Sequence, residues 1–280
     1  QELFDRTKKV FENDKIFDEN DSIKIRENSF LEIVKELEKY NLSDTSDDIK
    51  GIAFEQFLGK TFRGELGQFF TPRTIVNYIV DILDPQEGEF ICDPCCGSGG
   101  FLIKVFEYVR EKIENEIQKS KDAIKEHYYT IDFDKLPEKK QEAITKKVEE
   151  LFSQINFEID LQNPLGRLST LSYNCIYGTD ANPRMARTAK MNMIMHGDGH
   201  GGVHHHDGLL NVNGIFDNRY DIILTNPPFG ARVEKSLVVS PLDIPNDEEI
   251  KYYTEKYKEY DYLVNVVNPI KEWANYDNGK

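Results

Sequence analysis

The run Glu89-Phe90-Ile91-Cys92 passes directly into Asp93-Pro94-Cys95-Cys96-Gly97-Ser98-Gly99-Gly100-Phe101, and a helical pattern then continues from Phe101 to Ile117. A short strand, a turn of small residues and an amphipathic helix form the first half of a crossover between parallel strands. Small residues let a ligand approach the backbone, and a helix N-terminus favours anionic groups. The turn is not the G-x-G-x-x-G of nicotinamide cofactors, because Gly97-Ser98-Gly99-Gly100-Phe101 closes too soon. It is not a P-loop either, because no Gly-Lys-Ser/Thr follows. A tight turn without a ligand is the plain alternative.

Three further short strands are expected: Asn174 to Gly178, Gly202 to His206 and Tyr220 to Thr225. A helix from Pro183 to Met195 follows the second. Alternating strands and helices predict an α/β domain with a parallel, Rossmann-like sheet. Thr71-Pro72 is expected to start a helix, since Pro suits the first helical turn. Ile75, Val76, Ile79, Val80, Ile82 and Leu83 give that helix its apolar face, and Asp84-Pro85 ends it. Residues 1–62 read as a helical lead-in, with Phe30, Ile33, Val34 and Leu37 at helical spacing. Residues 63–280 read as the main domain, interrupted by a charged helical insertion at about 111–170 with a break at Leu136-Pro137.

The chain has 280 residues, 39% of them hydrophobic, enough apolar mass for a real core. It has no apolar run of the length that spans a bilayer. Its charged start, Gln1-Glu2-Leu3-Phe4-Asp5-Arg6, does not resemble a signal peptide. With Cys92, Cys95, Cys96 and Cys175 too few and too crowded for a disulfide scaffold, a cytoplasmic protein is expected. The chain begins at Gln1 rather than Met and is read as a fragment. Asp+Glu 50 against Lys+Arg 35 gives −15. Duplex DNA cannot be held by a general basic field of that sign, so any nucleic-acid contact requires a local patch or a partner subunit.

Two more constellations carry chemistry. Asp180 follows the second strand in a loop, at the strand end where α/β folds bind ribose hydroxyls, although a cap for the helix at Asn182-Pro183 is the bland reading. Asn226-Pro227-Pro228-Phe229 ends the last strand. Two prolines cannot continue a ladder, so the chain leaves the sheet there and sets Asn226 and Phe229 at its carboxyl edge. Cys92-x-x-Cys95 has zinc-like spacing but no second pair. His196, His200, His204, His205 and His206 read as surface and supporting groups. No metal site is expected.

Taken together, these motifs resemble the S-adenosylmethionine-dependent amino-methyltransferases that act on DNA. The nearest likeness is to the modification (M) subunit of type I restriction–modification systems. Gln68-Phe69-Phe70-Thr71-Pro72-Arg73 looks like the family's N-terminal cofactor motif. Asp93, Pro94, Cys96, Gly97, Ser98 and Gly99 look like its glycine-rich motif, with Cys95-Cys96 where small residues such as Ala are common. Tyr177 to Pro183 looks like the ribose motif, with Asp180 where Glu is common. Asp207 and Gly208, after His206, look like the adenine-contacting motif, and Asn226 to Phe229 like the catalytic tetrad. Ala189 to Gly197 is a phrase typical of those subunits.

The resemblance implies adenine-N6 methylation of double-stranded DNA, in a complex with specificity and restriction subunits. Asn226 and the Pro227 carbonyl would accept the two N6 protons, and Phe229 would stack on a flipped base. It also implies a seven-stranded sheet, of which about three strands are expected to be missing here. Two alternatives stay open. One is another methyltransferase with the Asn-Pro-Pro-aromatic tetrad, acting on rRNA guanine N2 or protein glutamine N5, which the Phe70-Thr71-Pro72 motif argues against. The other is a non-catalytic cofactor-binding or scaffold fragment.

Overall fold

The computed structural model describes residues 2–10, 16–17, 20–41, 49, 53–54, 56, 71–197, 202–208, 219–227, 246–248, 251 and 255. Two leading helices, α1 (Glu2–Val10) and α2 (Glu27–Leu37), have no buried residue. Residues 20–26 between them are not helical, so the lead-in is not continuous. An Asp21–Arg187 ion pair at 3.2 Å ties this region to the main body.

The body is built on four parallel strands. They are β1 (Ile91–Asp93), β2 (Ile176–Asp180), β3 (Val203–His205) and β4 (Ile222–Ile223), in the order β3-β2-β1-β4. The α/β parallel sheet expected from the sequence is thus present. Strand limits differ from expectation in a consistent way. Asp93 and Asp180, expected in loops, are the last strand residues, because Asp93 lies opposite Gly178 and Asp180 opposite His205 in the ladders. Asn174 and Cys175 are not strand. They close a π-helical turn over Leu171–Cys175 that feeds β2 from the short helix Arg167–Thr170.

Three helices pack on one face of the sheet. α3 (Arg73–Leu83) buries Val76 and Val80. Pro72 is its N-cap rather than its first residue, and Asp84 ends it at φ 47°. α4 (Gly100–Tyr128) buries Phe101, Leu102, Ile103, Val105, Phe106, Val109, Ile113 and Ile117. It does not stop at Ile117 but runs on to Tyr128, so residue 111 lies inside one continuous helix. A 3-10 turn at Phe133–Lys135 and the Leu136-Pro137 break precede α5 (Glu138–Glu158). α7 (Pro183–Met195) follows β2, α6 being the short Arg167–Thr170 helix.

Strand alternation divides the burial. Ile91 and Ile176 join the main core with Leu102, Phe106, Ala189, Met193, Val203 and Leu224. Their neighbours Cys92 and Tyr177 point to the other face and pack with Phe90 and Tyr220. There Arg219 stacks on Tyr177, 4.2 Å from its ring centre, and donates to its hydroxyl at 2.9 Å. The described residues include no helix long and apolar enough to cross a membrane.

Candidate active site

The expected site residues that are described gather at the carboxyl edge of the sheet, around β1. The chain fills the sheet on one side of β1 with β2 and β3, then returns to its other side with β4. The carboxyl ends of the strands at such a reversal are where open parallel sheets bind ligands.

The glycine-rich turn is held from below and from the side. Cys96 N–H donates to Thr179 O at 2.8 Å, and Thr179 Oγ1 donates to Pro94 O at 2.9 Å. Gly97 N–H donates to Asp180 Oδ2 at 3.0 Å. Asn192 Nδ2 reaches up from α7 to donate to Ser98 O at 2.9 Å. Gly97 and Gly99 sit at φ +55° and +85°, a region that side chains rarely adopt. A Cβ on Gly97 or Gly100 would meet open space, so the turn leaves room for a ligand against the backbone. A Cβ on Gly99 would meet Ala189 at 3.4 Å, an ordinary contact, so it is the positive φ that calls for glycine there.

Three acidic residues face this turn. Asp93 is buried and accepts from Cys95 N–H at 3.0 Å and from the Thr225 hydroxyl. Burial pushes its carboxyl up to about 7, and the charge of Asp180 adds to the rise. Asp180 is also raised by burial, opposed by the N–H groups of Asn182 and Gly97. Its Oδ1 accepts from Asn182 N–H at 2.8 Å, while the N-cap of α7 is Asn182 itself. Asp180 therefore anchors the residue that caps the helix and does not cap it directly. Burial raises the Cys95 thiol, and the charges of Asp93, Asp180 and, least, Asp207 add to the rise. Gly208 lies directly on Pro94, where a Cβ would fall 2.0 Å from the Pro94 carbonyl oxygen.

Asn226 follows β4, half-buried, and its Nδ2 donates to Thr71 Oγ1 at 2.9 Å. Pro227 is exposed beside it. Thr71, Pro72 and Arg73 thus stand at the same edge as the turn. Gln68, Phe69, Phe70, Pro228 and Phe229 lie outside the described residues, as does His200.

Cys92 belongs to the Tyr177 face and Cys96 to the main core. Burial pushes the Cys92 thiol up to about 12 and Cys96 well above its ordinary value, as fits packing groups. His196 is buried at the end of α7, with Nδ1 2.7 Å from Glu107 Oε1, and His205 Nε2 lies 3.1 Å from Ala181 O. Both tie elements together. Sequence reasoning did not single out Thr179, Asn192 and Thr225 as supports of the turn. Asn192 had a signal: a polar residue on the helix face that carries Met185, Ala189 and Met193.

Residues 45–140 and 166–272 match the family model for N-6 DNA Methylase. The match steps over 141–165, most of α5 and the loop after it. The chain is 26% identical over 209 residues to the type I restriction enzyme EcoEI methylase subunit of Escherichia coli, covering 74% of this chain and 33% of that protein. It is 30% identical over 185 residues to the type I restriction enzyme MjaIX methylase subunit of Methanocaldococcus jannaschii, covering 65% of this chain and 23% of that protein. The chain therefore spans a third or less of the length of these curated relatives. Among solved structures, the EcoKI M protein is similar over 61% of this chain and 27% of its own, at 23% identity and a TM-score of 0.34.

Proposed function

The chain belongs to the N-6 DNA methylase family, and from that premise we propose that it carries the cofactor and target-amine sites of a DNA adenine-N6 methyltransferase. The whole protein would be the modification subunit of a type I restriction–modification complex, working with specificity and restriction subunits on double-stranded DNA. The observation that carries this reading is the meeting of Asn226-Pro227 with the turn at 93–99 and Asp180 along one strand edge.

S-adenosylmethionine fits the residues at that edge. It would supply an electrophilic methyl group on a sulfonium. The open space over Gly97 and Gly100 suits close approach to the backbone. Each Asp180 oxygen accepts one backbone N–H and keeps a lone pair for a ribose hydroxyl. Asp93, Asp180 and Asp207 make the edge acidic, which favours a cationic ligand. Gln68, Phe69, Phe70, Pro72, Arg73, Pro94, Cys96, Ser98, Gly99 and Gly208 complete the expected cofactor contacts, while Thr71 Oγ1 meets the Asn226 amide instead.

The target nitrogen is conjugated to the purine and is a poor nucleophile. Asn226 Oδ1 and the Pro227 carbonyl would accept its two protons' hydrogen bonds and draw it toward tetrahedral geometry. Its lone pair is then directed at the methyl carbon, and alignment supplies most of the rate gain. Pro228 would hold the tetrad's shape, and Phe229 would stack on the base once it has left the duplex, offsetting a few kcal/mol of unstacking.

Methylation of a site-bearing duplex by the complete complex tests the reading. Asn226→Ala should lose transfer while cofactor affinity stays near normal. Full activity of that variant would overturn the role of Asn226.

A further inference from the structure

Thr71 and Asn226 meet across 155 positions of chain, with Asn226 Nδ2 donating to Thr71 Oγ1 at 2.9 Å. We propose that Thr71 is a positioning residue that holds the Asn226 amide with Oδ1, not Nδ2, toward the target amine. The proposal rests on the role given to Asn226 above.

An asparagine amide has nearly the same shape when turned over, but one end donates and the other accepts. The target amine is a donor. Against Oδ1 its proton is accepted; against Nδ2, donor faces donor. With Oδ1 committed to the amine, Nδ2 needs an acceptor on its other side, and Thr71 Oγ1 supplies one. In the overturned arrangement Thr71 could donate to Oδ1, but the amine would then meet Nδ2 unsatisfied. Only the first arrangement offers the amine an acceptor. As Oδ1 draws on the amine protons in the transition state, the amide polarises and the Nδ2–Oγ1 bond strengthens with it. The contact therefore acts on the chemical step more than on binding.

The surroundings fix the Asn226 backbone but not its amide. Leu224 N–H donates to Cys92 O at 3.0 Å, and the Thr225 hydroxyl bonds Asp93. Pro227 keeps Asn226 out of the right-handed helical region. Thr71 stands on a firm platform. Pro72 O accepts from Ile75 and Val76 N–H at 2.9 and 3.1 Å. Val76 and Val80 are buried in the core, and Asp84 at the far end of α3 bonds Tyr108 and Lys112 of α4.

The resemblance assigns Thr71 to the cofactor, and the two roles separate in kinetics. In the complete complex, Thr71→Val keeps the shape and removes the acceptor. The single-turnover methylation rate at saturating S-adenosylmethionine should fall about tenfold. Cofactor Kd should stay within about threefold, and Thr71→Ser should restore the rate. In an Asn226→Asp background the carboxylate has equivalent ends, so the same Thr71→Val loss should shrink to under about threefold. Thr71→Ala repeats the measurement if valine unfolds the protein. A Thr71→Val variant with weakened cofactor binding and an unchanged saturated rate would overturn the proposal, as would equal losses in both backgrounds. Full methylation by Asn226→Ala would instead remove the parent reading.

Discussion

Asp180 holds the glycine-rich turn from the neighbouring strand: Gly97 N–H donates to its Oδ2 at 3.0 Å, across 83 positions of chain. Its other oxygen accepts from Asn182 N–H at 2.8 Å. One carboxylate thus sets the turn and the entry to α7 together, and in the proposed function it would also accept from a ribose hydroxyl. Asp180→Ala should lower stability by about 1–3 kcal/mol, as expected for charge-assisted bonds to backbone. Its S-adenosylmethionine affinity should fall at least about tenfold. Asp180→Asn should fall between the two proteins, because it keeps one acceptor and turns a donor toward an N–H. Chemical denaturation and calorimetry read the two effects separately. A destabilised Asp180→Ala protein with unchanged affinity would restrict Asp180 to a structural role.

The buried Asp93 carboxyl gives a pH dependence of definite sign. Burial raises it from 3.8 to about 7. The folded state then holds this proton more tightly than the unfolded state. Between 3.8 and about 7 the native protein carries the extra proton, so this group's contribution to stability falls as pH rises through that window and is flat above it. The slope is at most about 1.4 kcal/mol per pH unit. Urea unfolding at pH 5 and pH 8 should show this loss in the parent protein and a flatter response in Asp93→Asn. Identical slopes in the two proteins would contradict the assignment. A bound cation would oppose the rise, so cofactor binding should release protons near neutral pH, read by calorimetry in buffers of different ionisation heat.

Local signals were legible in the sequence, and long-range ones were not. The strand–turn–helix at 89–117 and the helix Pro183–Met195 follow from periodicity and turn chemistry. The strand ends were misplaced at Asp93 and Asp180 because a polar residue at a strand end looks like a loop, while ladder pairing is decided by the neighbouring strand. The end of α4 was misplaced because its apolar stripe runs out after Ile117 although helix-forming Glu, Lys and Gln continue to Tyr128. The position of β4 beside β1, and the contacts Gly97–Asp180 and Asn226–Thr71, depend on topology that no local window contains.

Gly208 connects the segment after β3 to the glycine-rich turn by backbone contact. A Cβ there would fall 2.0 Å from Pro94 O and 2.7 Å from Pro94 Cβ. Neither neighbour is a flexible side-chain end, so Gly208→Ala must move one segment off the other. Stability should drop by about 1–3 kcal/mol, the usual cost of overpacking. Cofactor affinity should drop as well, because Pro94 is tied through Thr179 to the turn. Thermal unfolding with and without S-adenosylmethionine checks both. A variant with parental melting and parental cofactor stabilisation would show that the contact is not needed.

The charge balance sets the terms for DNA. At −15 the chain repels phosphate overall, and releases few counterions on contact. Its affinity for duplex DNA at physiological salt should be no tighter than the ~10⁻⁴ M end of non-specific binding. A full-length modification subunit joined to a specificity subunit should bind tightly, with a steep fall as salt rises, because the phosphate contacts would come from the partner. Gel shifts across a salt series at matched concentrations separate the two cases. Tight, sequence-specific binding by the 280-residue chain alone would mean that a local basic surface outweighs its net charge, and would overturn the dependence on a partner.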